Sequence, residues 1–399
     1  MEPKIRFKGF EDSWIGRKLT DVVSLYNGLT YTPNSIREKG TLVLRSSNVQ
    51  DGEITLNDNV YVESSVVNSP NVEKGDIIVV VRNGSRALIG KHAQIKNVMK
   101  DTVIGAFMAG MRSENPEFTN ALLGTPRFDY EVGINLGATI NQITNATFHS
   151  MSFGFPSNKE QKAIGKYFTS LDSQISASTS RLASLKQMKA ASLQAMFPQE
   201  GETVPKIRFK GFEGEWKKVS FKDFTFHAGT KNRDNLPLES YSISNEFGFI
   251  PQNEQFENGG TMTQADKRMY YIVSPNSFAY NPARINVGSL GYYEGKEDVI
   301  VSSLYEVFKT DDTICDKFLL YWFKTDIFQK MIEQFQEGGV RLYFFYDKMC
   351  KCSLMRPSLA EQQAIASYFT SLDHQISLQS QRLEKLKQIK SACLDKMFV

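Results

Sequence analysis

The sequence contains few features of membrane or secreted proteins. None of its apolar stretches approaches the ~18–20 residues that a helix needs to cross a bilayer. Its N-terminus leads directly into a segment rich in lysine and arginine, without the apolar core of a signal peptide. We therefore expect a soluble, cytoplasmic protein that does not bind membranes.

Cysteine and histidine are scarce, with four of each in 399 residues. The cysteines all lie in the second half of the chain: Cys315, Cys350, Cys352 and Cys393. They form no CxxC pair, and the histidines stand apart from them and from one another. This pattern argues against a metal site and against a disulfide framework, so we expect reduced thiols.

Catalytic motifs are incomplete. The segment GSRALIGKH (84–92) has five residues between its glycines and a histidine after the lysine, whereas a phosphate-binding P-loop needs four residues and then Ser or Thr. NPAR (281–284) lacks the second proline and the aromatic residue of amino-methyltransferase motifs. EGK (294–296) lacks the companion acidic residue of a nuclease site. The sequence therefore predicts a chain without an active site.

The strongest feature that is present is an internal tandem repeat. The nine residues PKIRFKGFE occur at 3–11 and again, unchanged, at 205–213. A second block, 160–197, aligns without gaps to 361–398, and 23 of the 38 aligned residues are identical. Between these two repeated blocks, the bodies of the two halves barely resemble each other. Repeated blocks around divergent bodies suggest one mechanical task performed on two different targets.

The second repeated block predicts a long helix in each half. A serine and a glutamate form a capping box at each start, Ser157 with Glu160 and Ser358 with Glu361. The apolar residues that follow have the 4-3-4-7-3 spacing of a coiled-coil seam. They are Ile164, Phe168, Leu171, Ile175, Leu182, Leu185, and Ile365, Phe369, Leu372, Ile376, Leu383, Leu386. We expect the helices to pair antiparallel about a pseudo-twofold axis; two separate surface helices are the alternative.

The bodies predict an α+β fold, each with several strands, a late helix, a glycine-bearing loop and a last strand. The predicted strands of the first body are GDIIVVV (75–81), VIGAFMAGM (103–111) and NATFHSMSF (145–153). Those of the second body are RMYYIV (268–273), SFAYN (277–281) and VIVSSLYEVF (299–308). PEFTNALLGTPRF (116–128) begins as a helix, and 316–335 is predicted to form one amphipathic helix.

Loops in both bodies carry residue types that read base edges, since Arg, Asn, Gln and Ser side chains form hydrogen bonds with bases. One such loop follows a predicted strand in each half, with Arg82, Asn83, Ser85 and Arg86, and with Asn281, Arg284, Asn286 and Ser289. A later loop precedes each last strand, with Thr139, Asn141 and Gln142, and with Arg341 and Tyr343. The alternative is ordinary turns, in which Asn and Gly supply positive φ and arginine is solvated.

The basic residues of the repeated blocks have two interpretations. In PKIRFKGFE the aromatic side chains are expected to dock on the domain or on the helices, and phosphate contacts by the lysines and arginines are the alternative. Residues 157–197 carry six basic and two acidic side chains. Those basic side chains either face solvent or a partner subunit, or they run along DNA.

Together, the repeated motifs point to a known family. They are the twice-used PKIRFKGFE with a following tryptophan, the twice-used P-S-x-x-E-Q-x-A-I before YFTSLD, and the glycine-bearing loop before each of those prolines. With them the chain resembles the specificity (S) subunit of bacterial type I restriction–modification enzymes, and the resemblance covers essentially its whole length.

The resemblance implies two target-recognition domains, 1–156 and 205–357, two antiparallel spacer helices, 157–197 and 358–399, and a linker at 198–204. Each domain would read one half of a bipartite site in double-stranded DNA. The helices would dock two modification subunits, which carry the S-adenosylmethionine chemistry. Restriction subunits would add ATP- and Mg-dependent translocation and cleavage. The chain itself would hold no cofactor.

Two other functions stay open on the residues alone. One is a tandem coiled-coil scaffold whose bodies bind protein or glycan ligands. The other is a restriction–modification polypeptide with nuclease or methyltransferase activity of its own.

Overall fold

The computed structural model describes residues 2–136, 141–255, 266–339 and 342–399. The chain divides into two units, and both divisions fall inside its long helices. The first unit comprises Met1–Ser180 with Ser380–Val399, and the second comprises Arg181–Gln379. Each unit therefore contains one body, the start of one long helix and the end of the other.

The first unit is built from short strands and three short α-helices among the described residues. Its strands are Ile15–Lys18, Val23–Asn27, Ile36–Arg37, Thr41–Leu44, Val49–Gln50, Glu53–Ile54, Val60–Val62, Ile77–Val80, His92–Gln94, Thr102–Ile104, Met108–Ser113 and Ser152–Phe155. Its short helices are Pro116–Leu123, Pro126–Asn135 and Asn145–Ser150.

Two four-stranded sheets organise this first body. In one, Met108–Ser113 lies between Val23–Asn27 and Ile77–Val80 and is antiparallel to both. In the other, Thr41–Leu44 runs parallel to Thr102–Ile104. All four residues of Ile77–Val80 are buried, which accounts for the uninterrupted apolar run and confirms that predicted strand.

The second unit has the same kind of construction with different side chains. Its strands are Lys217–Ser220, Thr225–His227, Thr230–Lys231, Ser240–Ser244, Gly248–Pro251, Tyr271–Val273, Ser277–Tyr280, Leu290–Tyr293, Val299–Val301, Glu306–Thr310 and Ser353–Arg356. Its short helices are Gln252–Gln255, Asp316–Trp322, Asp326–Phe335 and Tyr346–Met349. Ser277–Tyr280, which is entirely buried, pairs with Leu290–Tyr293 on one side and Glu306–Thr310 on the other.

Some predicted boundaries were wrong. NATFHSMSF, predicted as one strand, forms the helix Asn145–Ser150 and then a strand, because the hydroxyl of Thr144 caps the helix by accepting from the Thr147 amide. VIGAFMAGM and VIVSSLYEVF each contain two strands separated by a turn.

The amphipathic segment 316–335, predicted as one helix, is broken in two at Thr325. The hydroxyl of Thr325 donates to the carbonyl of Trp322 at 2.7 Å. Thr125 makes the matching bond to Leu122 at 2.7 Å in the first unit. In both units the threonine hydroxyl donates to a carbonyl of the preceding turn, and one helix ends there and another begins. In the second unit the two short helices bury Phe318 and Phe328 in one core.

The long helices begin and end close to the predicted positions, at Asn158–Ala195 and Leu359–Lys396. Half of each predicted capping box is present, since the Ser157 hydroxyl accepts from the Glu160 amide at 3.4 Å and Ser358 accepts from Glu361 at 3.3 Å. The other half, a hydrogen bond from the serine amide to the glutamate carboxylate, is replaced by an ion pair. The Glu160 carboxylate accepts two hydrogen bonds of 2.8 Å from the guanidinium of Arg6, in the repeated opening segment.

The aromatic residues of the opening segment dock as expected. Phe7 packs edge-on against Tyr167 of the long helix, with ring centroids 5.7 Å apart, and Phe209 packs in the same way against Tyr368 at 5.9 Å. Trp14 is buried with 3% of its surface exposed and meets Phe398 at 6.2 Å. The opening segment therefore packs against the long helix and connects it to the body.

Within each unit, the start of one long helix contacts the end of the other. In the first unit the Tyr167 hydroxyl lies 3.4 Å from the sulfur of Cys393, and Lys390 pairs with Asp172 at 2.6 Å. In the second, Ser192 and Tyr368 share a hydrogen bond of 2.9 Å. The predicted seam residues are buried or half-buried, and the fully buried ones are Ile164, Phe168, Leu171, Leu185, Ile365, Phe369 and Leu372.

No helix among the described residues has both the length and the apolar character of a membrane-spanning segment.

Candidate nucleic-acid interface

The 82–86 loop follows the buried strand Ile77–Val80 and projects from it. The side-chain oxygen of Asn83 accepts from the amide of Ser85 at 2.9 Å, which closes a tight turn. Arg82, Ser85 and Arg86 are exposed, whereas Asn83 is half-buried. The turn interpretation and the base-reading interpretation are thus compatible here, because the Asn83 turn holds the exposed side chains outward.

Phe107 fixes the base of this loop. Its carbonyl accepts from the amides of Val81 and Arg82, at 2.9 and 3.2 Å. The guanidinium of Arg82 lies over the Phe107 ring, 5.1 Å from its centroid, and 53% of Phe107 is exposed. An exposed phenylalanine under an arginine is a stacking surface of the kind that binds bases. No local sequence pattern indicates this surface, because Phe107 lies in a turn between two strands.

Asn141 and Gln142 lie beside the 82–86 loop, a proximity that was not predicted from the sequence. The Asn141 carbonyl accepts from the Asn83 amide at 3.3 Å, and its side-chain amide donates to the Gly84 carbonyl at 3.0 Å. The main chain of Gln142 forms an isolated antiparallel β-bridge with that of Arg82. Thr139, the third residue predicted in this segment, lies outside the described residues.

Two side chains of the 82–86 loop itself have partners elsewhere in the unit. The guanidinium of Arg86 donates to the carbonyl of Gly133 at 3.3 Å. The amide nitrogen of Asn83 donates to the hydroxyl of Ser46 at 3.0 Å. Arg82, which is exposed, is consequently better placed than Arg86 and Asn83 to contact an external ligand.

The 281–289 loop has the corresponding place in the second unit. Asn281 again closes a turn, since its side-chain oxygen accepts from the Ala283 amide at 3.0 Å. Arg284 and Asn286 are exposed. Ser289 is 2% exposed, and its hydroxyl donates to the Ile243 carbonyl at 3.0 Å, so the structure places it inside the domain and not on the loop surface.

Tyr343 lies next to this loop, half-buried and stacked on the exposed Phe345 with centroids 5.4 Å apart. The amide of Phe344 donates to the carbonyl of Pro282 at 3.0 Å. Arg341 lies outside the described residues. In the first unit the amide of Ile143 donates to the carbonyl of Val81 at 2.9 Å, and both partners are offset by 201 positions from Phe344 and Pro282. The two units therefore join the same two loops by an equivalent hydrogen bond.

The second unit also holds a polar and aromatic group that sequence reasoning missed. His227 lies 3.5 Å from the carboxylate of Glu306 and packs edge-on against Tyr271 and Tyr346. Burial raises the pKa of the Glu306 carboxyl above its ordinary value, while His227 acts in the opposite direction. Lys231 lies over the Tyr271 ring at 3.7 Å.

No set of three His, Cys, Asp or Glu side chains in the described part of the chain is arranged to hold a metal ion. The candidate interface instead consists of arginine, asparagine, glutamine and aromatic side chains at strand ends. Such groups recognise a ligand through hydrogen bonds and stacking.

Comparison with known proteins identifies the repeated unit. The family model described as type I restriction modification DNA specificity domain matches twice, at residues 11–187 and 214–388. The specificity subunit of type I restriction enzyme StySPI from Salmonella potsdam is 25% identical over 194 residues, which are 46% of this chain and 42% of that protein. The EcoKI specificity subunit from Escherichia coli K12 is 25% identical over 226 residues, 53% of this chain and 48% of that protein. The chain spans about half the length of these relatives.

Solved structures show the same fold. A crystal structure of the type I restriction-modification S subunit from M. genitalium has a TM-score of 0.62 at 14% identity and covers 100% of this chain and 99% of its own. A structure from work on the complex assembly and conformational transition of the type I R-M system has a TM-score of 0.52 at 14% identity, with coverage of 98% and 99%.

Proposed function

Because the chain belongs to the family of type I restriction modification DNA specificity domains, we propose that it is the DNA-reading subunit of a type I restriction–modification complex. Each unit reads one half of a bipartite site in double-stranded DNA. The observation that carries this proposal is a hydrogen bond that both units form between two loops, from the Ile143 amide to the Val81 carbonyl and from the Phe344 amide to the Pro282 carbonyl. The exposed side chains around this bond differ between the units.

Base reading rests on the chemistry of these side chains. Arg82 and Arg284 are exposed, and an arginine of this kind forms two hydrogen bonds with guanine. Gln142 and Asn286 have the amide group that pairs with adenine. Both loops follow strands of the sheets, and side chains placed by strands are positioned accurately enough to distinguish one base from another.

The partners are part of the same proposal. The net charge of +3 is small for a protein that binds DNA alone, so neighbouring subunits supply part of the phosphate neutralisation. The long helices dock two modification subunits, which carry the S-adenosylmethionine chemistry. Restriction subunits join this core with ATP and Mg. The chain itself binds and positions, and catalyses nothing.

The test is co-expression with the cognate modification subunits, followed by mapping of methylated adenines across the host genome. We expect one asymmetric recognition sequence in two parts separated by an unread spacer. A single short palindrome, or no sequence-specific methylation, contradicts the proposal and favours a scaffold with ligands other than DNA.

Two arginine variants assign the half-sites. Arg82→Ala should relax specificity at a position of one half-site only, and Arg284→Ala at a position of the other, each with a loss of about 1–3 kcal/mol in specific binding. Arg127→Ala is the matched control, because Arg127 is exposed in the first unit and pairs with Glu131 on its own helix.

Exchange of a whole body tests modularity. Replacing residues 14–156 with the corresponding body of another family member should change one half of the methylated sequence and leave the other unchanged. If both halves change, the assignment of one unit to one half-site is wrong.

A further inference from the structure

A cleft of about 620 Å³ opens beside the 82–86 loop in the first unit. Arg45, Ser46 and Ser47 of its lining follow the strand Thr41–Leu44 of one sheet, and Phe107 precedes the strand Met108–Ser113 of the other. Tyr31, Arg45, Ser46, Ser47 and Phe107 are among the residues that line it. Its volume falls within the range of small-molecule sites, about 300–1,000 Å³.

The wall of the cleft is closely packed backbone. The amide of Leu29 donates to the carbonyl of Ile104 at 2.7 Å. Gly28 approaches Gly105 so closely that a Cβ on Gly28 would lie 2.1 Å from the Gly105 oxygen. Leu29 and Gly105, which this contact brings together, both line the cleft.

Aromatic and polar groups converge on this space. Phe107 is 53% exposed, and the guanidinium of Arg82 lies over one face of its ring, 5.1 Å from the centroid, which leaves the other face for a ligand. The Nε of Arg45 and the hydroxyl of Ser47 are covered by protein and have no hydrogen-bond partner within the described residues, so a rotation of each side chain must bring them to a ligand in the cleft. Another nitrogen of the Arg45 guanidinium pairs with Asp58 at 2.7 Å.

Buried polar atoms without partners carry a desolvation cost that a bound ligand with its own donors and acceptors would remove. A ligand for this cleft needs a flat ring to stack on Phe107 and polar ring atoms to reach Arg45 and Ser47. A nucleobase has both.

We propose that this cleft receives one nucleobase, stacked on Phe107 and hydrogen-bonded by Arg45 and Ser47. The inference rests on the proposed DNA-reading function. The groove edges of a paired base are read by projecting groups such as Arg82, whereas a concave site admits a base only when it has left the helical stack. The base belongs either to the bound DNA or to a free nucleotide.

The experiment uses the full chain and two duplexes that differ in one nucleotide. One carries a single unpaired 2-aminopurine bulge, and the other is fully paired. The third probe is 2-aminopurine riboside. We expect the bulged duplex to bind about tenfold more tightly than the paired one, within the about 5- to 150-fold that base–aromatic stacking supplies. The 2-aminopurine fluorescence should be quenched on binding.

Variants assign the preference to the cleft. Phe107→Ala should abolish it, and Ser47→Ala should weaken it without affecting folding, since that hydroxyl has no partner to lose. Tyr130→Ala is the matched control, because Tyr130 is 58% exposed beneath Arg127 at 5.6 Å but does not line the cleft. This control should retain the full preference.

The outcomes separate the inference from the function on which it rests. Equal binding of both duplexes without quenching overturns the inference, while sequence-specific methylation in the complex would still support the proposed function. Quenching of the riboside that depends on Phe107, without preference for the bulge, identifies a free nucleotide as the source. If Tyr130→Ala loses the preference as Phe107→Ala does, the cleft is not the site.

Discussion

The guanidinium of Arg6 donates two hydrogen bonds of 2.8 Å to the carboxylate of Glu160, and the guanidinium of Arg208 donates two, of 2.7 and 2.8 Å, to that of Glu361. The two carboxylates are 1% and 2% exposed. The repeated opening segment is therefore the partner of the repeated helix start. This contact explains why both blocks recur together while the bodies diverge.

The first prediction concerns this ion pair. Arg6→Ala leaves a buried carboxylate unpaired, which should lower the free energy of unfolding by about 3 kcal/mol. Lys8→Ala, an exposed neighbour in the same segment, should change it by less than about 0.5 kcal/mol. Urea unfolding followed by circular dichroism measures both. If Arg6→Ala weakens DNA binding and leaves stability unchanged, Arg6 is a phosphate contact.

The second prediction concerns the close approach of Gly28 to Gly105. Gly28→Ala places a Cβ 2.1 Å from a backbone oxygen that cannot move aside, so we expect a loss of about 3 kcal/mol. Gly133→Ala is the control, since nothing lies within 4 Å of its Cβ position and alanine favours its helix. Thermal unfolding of both variants decides the matter, and a wild-type melting temperature for Gly28→Ala would contradict the packing described here.

The third prediction follows from the pKa of a thiol. Burial raises the pKa of Cys352 to about 12, so at pH 8 only about one part in ten thousand is thiolate. In the native protein Cys352 should escape alkylation by iodoacetamide at pH 8, and it should react once the chain is unfolded. Because a raised thiol pKa suppresses the reactive form below it, reactivity should rise with pH towards 12. Peptide mass spectrometry reads the modification; rapid labelling of native Cys352 would contradict its burial.

The fourth prediction concerns the basic start of the first long helix. Lys159, Lys162 and Lys166 are exposed, and we expect them to face solvent or a partner subunit. Replacing all three with alanine should then change the slope of log K against log salt for DNA binding by the assembled complex by less than about 1. Direct phosphate contacts would lower that slope by about 0.9 for each lysine. A loss near 2.7 would place DNA along this helix.

Much of the fold was predictable because it depends on residues close together in the chain. The serine caps of the long helices and the strand Ile77–Val80 each follow from a local pattern. The helix break at Thr325 was missed because amphipathic spacing continues across it, and only the hydroxyl bond to Trp322 reveals it.

The sequence by itself determined the duplication, the two long helices to within three residues of their ends, and the residue types at the strand ends. Only the tertiary structure decided that Ile143 bonds to Val81, that Glu160 takes Arg6 as partner, that Ser289 is interior, and that Phe107 lies beneath Arg82. The reason is physical. Caps and periodicity depend on hydrogen bonds and packing a few residues apart, whereas these contacts join residues far apart in the chain, and only the packing of the sheets brings them together.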